Sequence, residues 1–383
     1  MPSPAIAERP RMIPVAVHRL RASDFRSYSS VTVDLDARPV VLTGANGAGK
    51  TNLLEAVSML SPGTGLRRAR LTELTRHGAA RWAVSARVGN RDGETAVGTG
   101  LTGEAGAEKR TARLDGETVG PMKLGAIAPV SWLTPQMDRL FLDGASVRRR
   151  FMDRLILGFD PEHGPRASRY ERAMRERLRL LKDGRRDAEW LNALEAQMVE
   201  NGIAMAAARR AWAGRTAQAL TAGVGPFPAA EIALEGTLEE ALAHRSAADV
   251  EDGFAETLAR DRTLDAQTGR TSAGPHRSDL AVRHVARDAP AALCSTGEQK
   301  ALLIALILAD ARMQSVERGQ TPILLLDEVA AHLDPDRRAA LYDEICGLGA
   351  QAWLTGTEPH LFEALGDRAQ RFDVRDSELT AAG

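Results

Sequence analysis

Gly44-Ala45-Asn46-Gly47-Ala48-Gly49-Lys50-Thr51 matches the phosphate-cradling pattern G-x-x-x-x-G-K-[ST] at every fixed position. The apolar run Val40-Val41-Leu42-Thr43 precedes it, and Thr51-Asn52-Leu53-Leu54-Glu55-Ala56-Val57 follows with helical apolar spacing. The motif therefore stands between a strand and a helix, the context its chemistry needs. Glycines at 44, 47 and 49 let successive backbone N–H groups point into one concavity, and the helix N-terminus adds its positive dipole end. Residues Gly44 to Thr51 are thus the candidate cradle for ATP: Lys50 is expected to reach the β- and γ-phosphates, and Thr51 to offer its hydroxyl to Mg²⁺.

The complementary half of such a site lies nearly three hundred residues on, at Leu324-Leu325-Leu326-Asp327-Glu328. An apolar strand from Ile323 to Leu326 ending in two acids delivers carboxylates to the C-terminal edge of a buried parallel sheet. Asp327 is expected to hold the Mg²⁺ shell. Glu328, on the opposite side of the pleat if the strand continues, is the candidate general base for the attacking water. The catalytic pair expected from sequence is therefore Glu328 and Lys50, with Thr51 and Asp327 as metal ligands.

Composition sets the frame. A chain of 383 residues with 44% hydrophobic and 26% charged content is long enough for two domains, or for one with a large insertion. Lys+Arg 50 against Asp+Glu 51 leaves a formal net charge of -1, so any nucleic-acid surface must be local. Cys294 and Cys346 lack C-x-x-C spacing and the eight histidines are scattered, which excludes a disulfide framework and a zinc site. The longest apolar run, Ala301 to Ala309, falls well short of the ~20 residues of a membrane helix, and the Pro-rich start Met1 to Arg11 lacks a signal-peptide core. A soluble cytoplasmic protein in a reducing compartment is expected.

Val15 to Asp36 reads as two strands, with Val31, Val33 and Leu35 alternating against polar neighbours, leading into the P-loop strand as one edge of an α/β core. Short strand-like pieces from Trp82 to Leu101 and Arg113 to Val119, broken by turns such as Gly89-Asn90-Arg91-Asp92-Gly93, suggest an antiparallel meander beside the nucleotide. From about Ala167 to Thr221 the pattern is helical, with Tyr170, Met174, Leu178 and Leu181 on one stripe and Leu191, Leu194 and Met198 on the next. Lys182-Asp183-Gly184 breaks the two helices, and Arg169, Arg172, Arg175 and Arg179 read as a solvated face. At ~1.5 Å per residue such a hairpin reaches about 40 Å.

Leu66-Arg67-Arg68-Ala69-Arg70, after the P-loop helix, is the candidate DNA patch: short, basic and exposed, with Arg67, Arg68 and Arg70 as its contacts. Arg148-Arg149-Arg150 reads slightly more as structural than as a phosphate contact. Leu293-Cys294-Ser295-Thr296-Gly297-Glu298-Gln299-Lys300 is a polar, glycine-containing helix start that an N-cap serine alone would explain. Its place before the Asp-Glu strand gives the order of ATPases of the ABC class: P-loop, signature, Walker B.

Further blocks make the likeness specific. Leu20-Arg21-Ala22-Ser23-Asp24-Phe25-Arg26-Ser27-Tyr28, Gly44 to Ala56, Arg148-Arg149-Arg150-Phe151-Met152-Asp153, Gly274-Pro275-His276-Arg277-Ser278-Asp279-Leu280 and Asp327-Glu328-Val329-Ala330-Ala331-His332-Leu333-Asp334 together resemble the RecF family of bacterial recombination mediators, whose ATPase heads are similar to those of SMC proteins. The resemblance covers nearly the whole chain. It implies an α/β, ABC-type P-loop ATPase head with an antiparallel β meander and an inserted helical lobe, divided as 1–153, 154–265 and 266–383. It also implies an ATP-dependent homodimer in which Ser295 and Gly297 of one subunit meet the γ-phosphate held by Lys50 of the other, with Asp334 facing the partner. Hydrolysis would separate the subunits and release DNA.

Implied partners are single- and double-stranded DNA, bound without sequence preference at gaps, with RecR and RecO in assisting RecA loading. Gln136 stands where the family has an acid, and reads either as the Mg²⁺-sensing glutamine of related ATPases or as a surface residue. Ala145 stands where the family has Pro. Thr357 stands where transporter ATPases carry a γ-phosphate-contacting histidine, which weakens a transporter reading and leaves that sensor unassigned. His276 and His332 read as structural rather than catalytic. The rival readings are an SMC-like chromosome ATPase, which would need long coiled-coil arms, and a transporter subunit, which would need a membrane partner.

Overall fold

The computed structural model describes residues 13–103, 108–184, 187–221 and 225–382, so the opening Met1 to Arg11 lies outside the described residues. The chain forms two compact units, one running through Trp132 and resuming at Ala311, the other Leu133–Asp310.

The first unit holds the P-loop. Its strands Val40–Thr43, Ile323–Leu326 and Ala352–Gly356 are buried at every position, the continuous apolar run expected of parallel strands covered on both faces. They lie in a six-stranded sheet ordered Glu378–Ala381, Gln370–Arg375, Val40–Thr43, Ala352–Gly356, Ile323–Leu326, Val130–Leu133. Parallel register pairs Gly356 with Thr43 and Leu354 with Leu326, so the ends that release the P-loop and the Asp-Glu pair lie at one sheet edge.

A second six-stranded sheet is antiparallel throughout, ordered Tyr28–Asp34, Ala16–Phe25, Ala83–Asn90, Gly93–Thr102, Lys109–Leu114, Glu117–Val119. The meander thus forms as expected. The first two strands, however, join this sheet rather than the edge of the parallel one: Leu20 and Ala22 pair with Ala86 and Val84, burying one common apolar face. Hairpin geometry sets its registers. Asp115 and Gly116, both at positive φ (48° and 88°), make the two-residue turn that joins Leu114 to Glu117.

The second unit is mainly helical. Helices His163–Lys182 and Ala188–Thr221 flank the Lys182-Asp183-Gly184 break, where Gly184 takes a left-handed φ of 68°. The buried stripe of the first is Tyr170, Ala173, Arg177 and Leu180, packing with Leu191, Leu194 and Met198; Met174, Leu178 and Leu181 are only half-buried. Arg177 is therefore the exception to the solvated arginine face, on which Arg169, Arg172, Arg175 and Arg179 are exposed. Its guanidinium donates to Glu195 (2.8 Å), Asp265 (2.7 Å) and the Leu258 carbonyl (2.7 Å), so the buried charge is paired and its donors are used.

This unit reaches beyond the 154–265 lobe expected from sequence, because helix Ala145–Ile156 is tied into it. Arg148 grips Asp279 through two bonds (2.8 and 2.6 Å), Arg149 donates to the Ser278 carbonyl (2.5 Å), and Asp153 accepts from Arg209 (2.9 Å twice). Helix Thr296–Arg318, longer at both ends than the Ala301 to Ala309 run, begins in this unit. No described helix is long and apolar enough to cross a membrane.

Candidate nucleotide-binding site

The P-loop leaves Val40–Thr43 and enters helix Lys50–Ser58 through three glycines at positive φ: Gly44 (148°), Gly47 (83°) and Gly49 (115°). Two are needed twice over. A Cβ on Gly44 would stand 2.2 Å from the Val374 carbonyl oxygen, and one on Gly49 would stand 2.8 Å from the Tyr28 hydroxyl. At Gly47 nothing lies within 4 Å, so there only the backbone conformation demands glycine. Tyr28, whose burial pushes its hydroxyl pKa up, donates to the Gly49 carbonyl at 3.2 Å and fixes the start of the helix.

Lys50 is buried, and its ammonium donates to the carbonyls of Gly44 (2.6 Å) and Ala45 (2.8 Å), holding the loop closed around its own charge. Burial lowers its pKa, and the charges of Glu328 and Asp327 push the other way. Thr51 Oγ1 donates to Asp327 Oδ1 at 2.9 Å, bringing together the two expected metal ligands.

Glu328 departs from the expected pleat. The strand ends at Leu326, and Glu328 takes a left-handed φ of 53°. What aims it is a turn pinned from the neighbouring strand: its N–H donates to Thr355 Oγ1 (2.9 Å), while Thr355 donates to Asp327 Oδ1 (2.8 Å). Sequence reasoning passed over Thr355, two residues before Thr357. The register that sets Leu354 beside Leu326 carries Thr355 to Asp327.

A cavity of about 610 Å³ opens on the P-loop, lined by Thr43, Gly44 to Ala48, Thr357 and Asp373 to Asp376. The exposed Thr357 thus stands on the nucleotide side of the sheet. The residues fit a magnesium nucleotide: glycines with no room for side chains, a buried ammonium at the loop mouth, and a hydroxyl and carboxylate 2.9 Å apart.

Of the other expected contacts, Ser295, Gly297 and Gln136 belong to the second unit and Asp334 to the first. Ser295 caps helix Thr296–Arg318: its hydroxyl and N–H both donate to Glu298 (2.9 Å each). Ser295 and Gly297 are exposed, as is Gln136 in the turn Pro135–Arg139. His276 is structural, accepting from the Tyr170 hydroxyl (2.7 Å) and donating to the Thr271 carbonyl (2.9 Å), with its pKa lowered by burial. Asp334 caps helix Pro335–Gly347 by accepting from the Arg337 N–H at 2.8 Å.

Arg67, Arg68 and Arg70 are exposed beyond the P-loop helix. Arg67 is tied back to that helix, donating to Asn52 (2.8 Å) and to the fully buried Glu55 (3.1 Å), which Arg26 also grips at 2.7 and 2.9 Å.

The family model described as RecF/RecN/SMC N terminal domain matches residues 16–375. The chain is 50% identical over 372 residues to the DNA replication and repair protein RecF of Agrobacterium fabrum, covering 96% of this chain and 99% of that protein. To the protein of the same name from Rhizobium meliloti it is 48% identical over 370 residues, covering 96% and 99%. Among solved structures, the recombination mediator protein RecF-ATPrS in the RecFOR pathway matches with a TM-score of 0.84 at 20% identity, over 98% of this chain and 100% of that one. An Smc head domain from Pyrococcus furiosus matches with a TM-score of 0.54 at 17% identity, over 97% and 96%. The structural likenesses show the shared ABC-type ATPase head fold, and the sequence matches give the lineage within it: this chain belongs to the RecF family.

Proposed function

We propose that this chain is an ATP-hydrolysing DNA-binding protein of recombinational repair and replication restart, in which ATP gates assembly of a homodimer on DNA. The observation that carries the reading is the convergence of Lys50, Thr51, Asp327, Thr355 and Glu328 at one end of the parallel sheet. ATP binding is further supported by relatives solved as RecF-ATPrS and RecF-ATP.

In this reading the N–H groups of Gly44 to Thr51 cradle the phosphates, and Lys50 exchanges its two loop carbonyls for phosphate oxygens. Thr51 and Asp327 hold Mg²⁺, which supplies electrostatic stabilisation of the phosphate charge. Thr355 keeps the Asp327 carboxylate aimed at that position and, through the Glu328 N–H, turns the Glu328 side chain toward the attacking water, whose proton it accepts. Ser295 and Gly297 of a second copy complete the γ-phosphate contacts, with Ser295 giving up its bond to Glu298, and Gln136 and Thr357 are further candidates there. A γ-phosphate contact between two copies exists only before hydrolysis, so its loss shifts dimer toward monomer.

The names of the relatives support a place in DNA replication and repair, and the RecFOR pathway supports RecR and RecO as partners in loading RecA on gapped DNA. Cytoplasmic location fits this role. Helices of 20 and 34 residues, roughly 30 and 50 Å at ~1.5 Å per residue, suit a local contact better than the long arms of a chromosome-bridging protein.

The test measures DNA affinity and subunit mass with ATP, with ADP, and with ATP on Lys50→Ala, at two salt concentrations. Joint rise of affinity and mass in ATP alone, abolished by Lys50→Ala, is expected. ATP binding with no effect on either would overturn the clamp.

A further inference from the structure

The outer face of the antiparallel sheet carries a feature that the nucleotide site does not use. Cross-strand register places Thr32, Arg21, Ser85, Gly98, Arg113 and Thr118 in one row across six strands. The next row places Arg19 directly opposite Arg87. Like charges directly opposite each other destabilise a sheet, and here they are answered: Arg19 pairs with Asp34, and Arg87 with Glu94 at 3.5 Å. The first row is not answered. Among the described residues neither the Arg21 nor the Arg113 side chain makes a hydrogen bond or ion pair, although Arg21 adds its charge to the Arg19 hydrogen bond that holds the Asp34 carboxyl low. Between them Ser85 and Gly98 floor a depression of about 290 Å³.

Gly98 is the informative residue. Its φ lies outside the left-handed region, and a Cβ there would meet only the Arg113 Cβ at 3.8 Å, an ordinary contact. Neither conformation nor packing within the chain calls for glycine, unlike Gly100 in the same strand, where a Cβ would stand 2.9 Å from the Trp82 carbonyl. A mid-strand glycine weakens a sheet, and one that the fold does not need marks the approach of something else.

We propose that this face is a phosphodiester-binding surface, with Arg21 and Arg113 contacting phosphates of a DNA strand laid across Ser85 and Gly98. The proposal rests on the DNA-binding reading above and adds a contact surface separate from Arg67, Arg68 and Arg70. The donor set favours a nucleic-acid backbone. Arginines interleaved with threonine and serine hydroxyls are the side chains that bind phosphate oxygens, and the row presents no exposed aromatic or large aliphatic anchor of the kind that holds a protein partner. Three strand spacings separate Arg21 from Arg113, roughly 14 Å, which spans several phosphates at about 3.4 Å rise each.

The experiment uses the full chain with ATP and a fluorescent gapped duplex, measuring affinity against salt together with a thermal melt. Arg21→Ala and Arg113→Ala are each expected to weaken binding and to reduce the slope of log affinity on log salt by about one, and the double variant by about two. Gly98→Val is expected to melt no lower than wild type, since a β-branched residue suits a strand, yet to lose affinity severalfold. If the sheet variants keep wild-type affinity and slope while Arg67→Ala/Arg68→Ala/Arg70→Ala loses them, this surface is wrong and the DNA-binding reading stands. If wild type fails to bind the duplex at all, both fall. If the sheet variants keep DNA but lose binding to polyglutamate, the face serves an acidic protein and the proposal is overturned.

Discussion

Thr355 Oγ1 donates to Asp327 Oδ1 at 2.8 Å and accepts the N–H of Glu328 at 2.9 Å, so one hydroxyl fixes both acids of the site. Removing the hydroxyl leaves the carboxylate and the turn without their shared anchor. Thr355→Val, nearly isosteric, is expected to raise the Mg²⁺ concentration needed for half-maximal ATP hydrolysis by about 10- to 100-fold, the usual effect of losing an outer-shell partner. Thr355→Ser should restore it. A Mg²⁺ titration in which Thr355→Val matches wild type would remove Thr355 from the site.

The P-loop glycines separate two reasons for glycine. Gly47→Ala meets open space and costs only the left-handed backbone, about 1–2 kcal/mol, so a melt lowered by a few degrees with measurable ATP binding is expected. Gly44→Ala adds a Cβ 2.2 Å from the Val374 carbonyl, which belongs to a neighbouring sheet strand and cannot yield as a side-chain tip would. Loss of nucleotide binding, read by fluorescent ATP titration, is expected for Gly44→Ala. Equal behaviour of the two variants would contradict this.

Asp153 accepts bonds from Arg209 and from the buried His163 (2.9 Å). Burial alone would raise its pKa, but the His163 and Arg209 contacts outweigh it and hold the carboxyl at about 2, below its ordinary 3.8. The unfolded chain takes up this proton first as pH falls. The contribution to stability, on the order of 2 kcal/mol, is therefore fully present above pH ~4 and lost between about 4 and 2. Asp153→Asn is expected to melt lower at neutral pH and to show a shallower loss of stability across that window. An unchanged acid limb in urea titrations would show that the pair is not coupled to folding.

How much of this was legible depended on whether a role is written in consecutive residues. The P-loop was, because Gly44 to Thr51 carry conformation, charge and ligand within one turn. The Asp327-Glu328 pair was too, since a fully buried strand announces its own end. Thr355 was not, because its meaning comes from Ala352–Gly356 lying beside Ile323–Leu326, a pairing that local pattern does not encode. The same limit hid Arg177: an arginine on a charged helix reads as solvated, and its partners Glu195 and Asp265 lie 18 and 88 residues away. The first two strands were seen but assigned to the wrong sheet, for alternation reports a buried face and not the neighbour that buries it.

Arg67, in the candidate DNA loop, commits part of its charge to Glu55. Glu55 has no solvent exposure, and Arg26 holds it with two bonds at 2.7 and 2.9 Å. Arg67→Ala therefore leaves the carboxylate paired, and a melt within about 1 kcal/mol of wild type is expected. Its effect on DNA affinity should be smaller than that of Arg70→Ala, since the Arg67 charge is already answered before DNA arrives. Glu55→Ala takes the carboxylate partner from the Arg26 guanidinium, which keeps its bond to the Glu73 carbonyl (2.8 Å), and is expected to cost about 3 kcal/mol. Glu55→Gln keeps the shape, frees Arg67 from its counter-charge, and should raise DNA affinity at low salt while lowering stability. If Glu55→Gln instead weakens DNA binding in proportion to its loss of stability, Arg67 serves the fold and not the DNA.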